Sequence, residues 1–550
     1  MGQALPPDLI ADLKWRTQYA LNFTDELIVD LFAGGGGAST GLEMALGRPV
    51  DVAINHNPHA ISLHQVNHPH TKHYISDVFE VNPLLACMGR AVGHLHASPD
   101  CTHFSQAKAG QARKRALRSL SWVVLKWAGL VRPRVITLEN VEQILQWSPL
   151  VAKRCRKTGR VIKIDGGIAV PGERVPVDQQ FLVPDRRRKG HNWRHFVNGL
   201  RKLGYAVEWR TLAASEFGAP TTRKRLFLAA RCDGKPITWA EPTHAAKPRR
   251  GLWPLVSAAA CIDWSLPTQS IFDRPRPLAL NTNRRVAKGM RRFVLDATAP
   301  FVVPAGTGIG APTLIQCSYG ERKGQEPRAL DLFKPLGTVV AGGIKHSLAV
   351  AYLAQHNNHR GTVPSAGRSI DEPMSTVTVR GSQQGLVTAH LATLRRHSTG
   401  GDVRDTLPAI TAGGQHHALV QSQLEPEEAA TIQAALRVAA YLSAHDDTLQ
   451  RPFASLSEAE QLELVTVIVD GVRYLIVDIH LRMLSPRELF RAQGFPDSYE
   501  IERGHDGRVF TKTQQVHFVG NSVSPLPMAA LVAALHGTPD AAAQPASQAA

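Results

Sequence analysis

From Leu27 to Ala230 strand-like and helix-like segments alternate, and the first strand runs directly into glycines. No other feature constrains the fold of this chain as strongly. Apolar runs fall at Leu27–Phe32, Val50–Asn55, His73–Ile75, Gly93–Ala97, Val135–Leu138, Tyr205–Trp209 and Leu226–Ala230, with helical stretches at Ala116–Val131 and Trp193–Leu203. Such alternation predicts an α/β fold built on a doubly wound, mostly parallel sheet. In sheets of this kind the reactive groups collect beyond the carboxyl ends of the strands. The glycines after the first strand, Gly34-Gly35-Gly36-Gly37, let backbone approach a nucleotide-like ligand and aim helix N–H groups at it. Their spacing fits a dinucleotide fingerprint only loosely, and no acidic residue ends the second strand.

The remainder of the chain divides by composition. Residues 1–26 form an N-terminal extension, 27–232 the alternating α/β domain, and 153–190 a basic insertion within it, read as a solvated face or loop with phosphate contact as the minority alternative. Residues 233–481 are rich in Pro, Gly and basic clusters and suggest a second, smaller β-rich domain. There a pattern recurs at 335–343, 373–381 and 406–414, each copy followed by an apolar run: Leu348–Leu353, Leu386–Leu391 and Ala418–Val420. This reads as a strand, Gly turn and strand unit, or as convergent turn chemistry. Residues 482–537 return to the first domain, with a helix over Arg482–Gly494 and a Gly-Asn-Ser turn plus helix over Val516–Leu535. The Ala, Gln and Pro-rich end, 538–550, is expected to be disordered.

The formal charge of +17 over 550 residues favours a polyanionic partner, nucleic acid first. No run of eighteen apolar residues and no signal-peptide pattern occurs, so a cytoplasmic protein without membrane contact is expected. The six cysteines include no Cys-x-x-Cys pair, which argues against a zinc knuckle or disulfide framework, and no metal site is expected.

One cysteine stands apart. Cys101, in Ser98-Pro99-Asp100-Cys101-Thr102, follows the Gly93–Ala97 strand and reads as a nucleophile at the sheet's carboxyl edge, against the alternative of a buried structural thiol. The next strand, Val135–Leu138, ends in Glu139-Asn140-Val141, which brings a carboxylate toward the sulfur. The second strand ends in Asn55-His56-Asn57 and the third in Ser76-Asp77-Val78. Asp77 suits either an adenine amino group or a helix cap.

With these go Arg223-Lys224-Arg225 after Gly218-Ala219-Pro220, the block from Arg482 to Pro496, and Gly520-Asn521-Ser522-Val523. In this order and spacing the blocks resemble the DNA (cytosine-5)-methyltransferase family, in a divergent bacterial or phage-like subgroup, over residues 27–231 and 482–535. The resemblance implies S-adenosyl-L-methionine as cofactor, held by Phe32, Ala33, Gly34, Gly36, His56, Asp77, Val78, Pro99, Asn521, Ser522 and Val523. It implies catalysis by Cys101, Glu139, Arg223 and Arg225 on a cytosine flipped from double-stranded DNA. The loop Phe104–Leu117 would then be a lid, and 233–481 would read the target sequence. A monomer with a cognate restriction endonuclease is the expected context. Three positions depart from the family pattern: Asp100 beside the cysteine, His56 where an acidic residue usually contacts ribose, and Thr221 where Gln commonly opens the Arg-x-Arg block. The competing readings are an RNA cytosine-5 methyltransferase and an inactive DNA-binding relative.

Overall fold

The computed structural model describes residues 26–100, 120–301, 428–445, 452–469 and 472–537, with short stretches between 303 and 411. The lid segment Phe104–Leu117, the 373–381 copy, Ala418–Val420, residues 1–25 and the 538–550 tail lie outside the described residues, as does Cys101.

The strands are β1 (Leu27–Leu31), β2 (Val52–Asn55), β3 (Lys72–Ile75), β4 (Val92–Ala97), β5 (Val135–Asn140), β6 (Leu150–Ala152), β7 (Leu182–Pro184), β8 (Ala206–Ala213) and β9 (Lys224–Arg231). Seven of them form one sheet in the order β3-β2-β1-β4-β5-β9-β8, parallel throughout except for β9, which runs against both neighbours. The expected doubly wound sheet is present.

Both faces of this sheet are covered, which is why its strands read as continuous apolar runs. Val29, Leu31, Leu95, Ile136 and Leu138 pack on the face that also buries Trp127 and Phe196, from α4 (Val123–Leu130) and α5 (His191–Lys202). On the other face Ile28, Val135, Phe227 and Ala229 meet α1 (Gly37–Leu46) and α10 (Pro525–His536). The apolar helical run Lys512–His536, made of α9 (Lys512–Asn521) and α10, is long enough to cross a membrane by composition, yet 83% of its most apolar window is buried inside the fold. A core helix of a covered sheet has the same composition.

Between α1 and α4 in chain order lie α2 (Pro58–Asn67) and α3 (Pro83–Cys87). The second sheet centres on β10 (Gly308–Gln316), β11 (His346–Gln355) and β12 (Val472–Met483), paired antiparallel, with α6 (Leu280–Met290) and α7 (Glu428–His445) beside them. The apolar runs Leu348–Leu353 and Leu386–Leu391 contribute to this sheet, whereas Val339–Val340 and Ile410–Thr411, from the first and third copies of the repeat, pair with each other in parallel.

Two expectations need correction. The helix expected over Arg482–Gly494 begins at Pro486 (α8, Pro486–Ala492), because Arg482 and Met483 still pair with Leu348 and Ser347. Ser485 caps the helix in a reciprocal box with Glu488. Glu488, fully buried, is gripped by both terminal nitrogens of Arg482 at 2.7 and 2.9 Å and also accepts from Asp263 N–H. The insertion is likewise more than a loop: β6 and β7 pair antiparallel at its root, and further backbone bonds join Lys153, Ile162 and Phe181.

Three buried histidines set the acid limit of this fold. Burial pushes His96 down to about 3 and His64 and His94 well below the ordinary imidazole range. The unfolded chain takes up those protons near pH 6.5, so the stability is complete above that pH and lost as pH falls toward the folded values. Asp30, raised by burial to about 7, acts in the opposite sense, since the fold then holds a proton that the unfolded chain releases near pH 4. Three imidazoles outweigh one carboxyl. Thermal melts are expected to fall from pH 7 to pH 5, and His96→Gln is expected to flatten that slope; melts independent of pH across this window would refute the assignment.

Candidate active site

At the carboxyl edge of β5 the start of β9 brings Glu139, Arg223 and Arg225 together. Glu139, at the end of β5, is 6% exposed and faces the Arg-x-Arg block. Arg225 Nε lies 3.0 Å and Arg223 Nη2 3.7 Å from Glu139 Oε1. Neither guanidinium aligns a hydrogen bond onto that oxygen, so Oε1 is buried in a positive field with no hydrogen bond among the described residues. The two arginines differ in their commitments. Arg223, 3% exposed, donates to the Gly520 carbonyl at 3.2 Å and the Ser522 carbonyl at 2.7 Å, so it stitches the C-terminal segment to the site. Arg225 spends one N–H on the Lys224 carbonyl and keeps its Nε toward Glu139.

Asn140 is the residue that sequence reasoning passed over. Its side-chain NH₂ donates to the Pro99 carbonyl at 2.9 Å, and its Oδ1 accepts from Val141 N–H at 2.9 Å. The loop that leads into Cys101 is thereby tied to the end of β5, one residue from Glu139. Its signal was only that an amide follows the glutamate. Asp100 is half buried and in electrostatic contact with His517, whose ring bonds Asn521 Nδ2 at 3.0 Å.

At β1 the chain turns through Phe32, a non-glycine residue at φ +63°, a strained conformation that concentrates at ligand clamps. Beyond it a cleft is lined by Asp30, Gly34, Gly36, Ser98, Asn521 and Ser522, with Val523 alongside. Most of the glycines answer to the protein itself. A Cβ on Gly36 would overlap Tyr499 Oη, and one on Gly37 would overlap Ser522 Oγ and the Val523 carbonyl. Gly34 differs, because the nearest atom to its Cβ position is 3.7 Å away. Asp30, fully buried, accepts from Ser39 Oγ–H at 2.7 Å through Oδ2, while Oδ1 has no hydrogen bond among the described residues.

The other expected cofactor positions are dispersed. Ala33 and Pro99 are buried, and Val78 belongs to the core between β1 and α3. His56 and Asp77 are exposed at the ends of β2 and β3, and Asp77 Oδ1 accepts from Phe79 N–H at 2.9 Å, so it does cap a turn. Thr221 is buried and bridges to Leu336, whose carbonyl accepts from Thr222 N–H.

The sequence profile of the C-5 cytosine-specific DNA methylases matches residues 27–150, 184–256 and 413–536, more than half of the chain. The chain belongs to the C-5 cytosine-specific DNA methylase family. Among relatives of this methylase is the Type II methyltransferase M.AquIA of Picosynechococcus, 24% identical over 230 residues that make up 40% of this chain and 77% of that one. Another, M.SacI of Streptomyces achromogenes, is 24% identical over 243 residues. There the match spans about half the relative's length, 52%. The solved Dnmt2 methyltransferase of S. pombe aligns over 93% of this chain and 98% of its own at 14% identity, with a TM-score of 0.40. The methylase profile skips residues 151–183, which are the greater part of the basic insertion.

The packing of the glycine turn makes a separable prediction. Gly37→Ala is expected to cost about 2–3 kcal/mol of stability, because Ser522 and Val523 must move, whereas Gly34→Ala is expected to leave the melt within about 0.5 kcal/mol of the parent. Denaturant titrations of both variants check this; equal destabilisation would contradict the assignment.

Proposed function

We propose that this methylase transfers a methyl group to carbon 5 of a cytosine flipped out of double-stranded DNA, with S-adenosyl-L-methionine as donor. The observation that carries the reading is Glu139 Oε1, buried between two arginines and joined through Asn140 to the loop that delivers Cys101.

The residues at the glycine turn fit a donor of this kind: Gly34 leaves room for backbone approach, and Asp30 Oδ1 and Ser98 add polar atoms at the cleft. Phe32, Ala33, Gly34 and Gly36 would hold it on one side and Asn521, Ser522 and Val523 on the other, with His56, Asp77, Val78 and Pro99 at the adjoining strand ends. The donor, when bound, supplies an electrophilic methyl group.

Carbon 5 of cytosine is too weakly nucleophilic to accept that group unaided. The Cys101 thiolate adds at carbon 6 and pushes electrons into the ring. Glu139 enters the reaction as the carboxylic acid, donates to ring N3 and passes its proton there as negative charge develops, leaving a carboxylate. Arg225 balances the carboxylate and reaches the pyrimidine carbonyl; Arg223 acts by fixing the C-terminal segment. Transfer of the carbon 5 proton to a solvent base, cleavage of the C6–S bond to release the Cys101 thiolate and return of the N3 proton to Glu139 restore the ring. Residues 233–481 read the target sequence, and the protein works as a cytoplasmic monomer, paired with a restriction endonuclease as its Type II relatives suggest.

Labelled S-adenosyl-L-methionine with duplex DNA and with RNA tests the reading. Label is expected in DNA, and Glu139→Gln is expected to lower the rate about 100-fold or more while DNA binding persists. Transfer to RNA alone would overturn the DNA assignment, and absence of transfer to either would favour an inactive binding relative.

A further inference from the structure

The basic insertion is rooted beside the candidate active site and is ordered by backbone bonds with very little core. Its first strand, β6, follows Glu139 by way of a single 3-10 turn, Glu142–Gln146. Trp147, 1% exposed, anchors the root between Trp122 and Phe196 at ring separations of 4.8 and 6.3 Å, and its carbonyl accepts from Asn192 N–H. From there Lys153 N–H donates to the Phe181 carbonyl, Phe181 N–H to Ile162, and Ile162 N–H to Lys153. Within 151–183 only Ala169, Val175 and Leu182 are buried. The scaffold therefore turns nearly all its side chains outward.

Those side chains are one-sided in charge. Residues 153–190 hold eleven Lys and Arg against four Asp and Glu. Two of the acids are already engaged, Glu173 by Lys163 and Asp185 by Arg188. Arg156, Lys157, Arg174, Arg186, Arg187 and Lys189 are exposed and form no ion pair among the described residues. Unbalanced cations on a surface repel one another and gain most from a polyanion that releases counterions when bound.

We infer that the 153–190 insertion is an accessory arm that grips the phosphate backbone of duplex DNA next to the flipped cytosine. This rests on the DNA reading above and adds to it a contact whose tip, with Arg156 and Lys157, lies in residues 151–183 that the family profile does not span. Arg156 and Lys157 sit in the tip that closes at Gly159, and Arg186 and Arg187 form the turn that leads back to α5. The arm contributes affinity without sequence preference, since phosphates carry no base identity.

Fluorescence anisotropy of the full chain on a non-cognate 30-base-pair duplex, over a series of salt concentrations, tests the arm. Two variants are compared with the parent: Arg156→Gln, Lys157→Gln, Arg186→Gln and Arg187→Gln combined, and replacement of 153–181 by Asn-Gly. The latter joins Ala152 to Leu182, which already face each other in register. Each variant is expected to reduce the slope of log affinity against log salt by about 3–4. Affinity near 0.1 M salt is expected to fall at least ~10-fold, with S-adenosyl-L-methionine binding unchanged. If the parent binds duplex DNA with a steep slope and both variants keep it, the arm is refuted and the DNA reading stands. If the parent shows no salt-dependent duplex binding, the DNA reading itself fails. A loss confined to structured RNA would also overturn the proposal.

Discussion

The structure depends on the return of the C-terminal segment to the first glycine turn. Gly37 N–H donates to Ser522 Oγ at 3.0 Å, Tyr499 Oη–H donates to the Gly35 carbonyl at 3.0 Å, and Arg223 binds the Gly520 and Ser522 carbonyls. The first two contacts join residues almost five hundred positions apart, and together the contacts close one wall of the cleft. The absence of side chains at 36 and 37 is what permits them, and α10 then covers the sheet face above β1. A glycine cluster that looks from its composition like a ligand cradle is in larger part a docking seat for the protein's own chain.

A second constraint works at the neighbouring strand ends. Asn140 fixes the Pro99 loop to β5, while β9 delivers Arg225 to Glu139 from the opposite direction. A carboxylate flanked by two guanidinium groups in a buried site is held ready to interact with a polar ring. Arg482 and Glu488 do comparable work at a distance: their bidentate pair fixes where β12 ends and α8 begins. That pair accounts for the charged residues of the Arg482–Pro496 block as architecture.

The sheet was legible in the sequence because each central strand is buried on both faces and so reads as an uninterrupted apolar run bounded by turns. Glu139, Arg223 and Arg225 could be singled out in the sequence because strand ends announce themselves. The backbone carbonyls that Arg223 binds could not, since they lie some three hundred residues away and no local pattern encodes them. Asn140 escaped notice for a similar reason: its partner lies on another strand. The start of α8 was misplaced because the apolar residues of β12 run into the helical block, and only the Ser485-Pro486 cap separates them. The insertion's folding was hidden because backbone bonds hold it with so little buried apolar surface to leave a periodicity.

The covalent step at Cys101 can be trapped on a duplex carrying 5-fluorocytosine in its target sequence. Fluorine cannot leave carbon 5 as a cation, so once the methyl group is transferred the ring cannot shed the thiol. A denaturation-resistant protein–DNA complex that requires S-adenosyl-L-methionine is expected, with the cross-link mapped by mass spectrometry to the peptide containing Cys101. A cross-link at another residue, or methylation of unmodified DNA with no trapped complex on the fluorinated duplex, would contradict it.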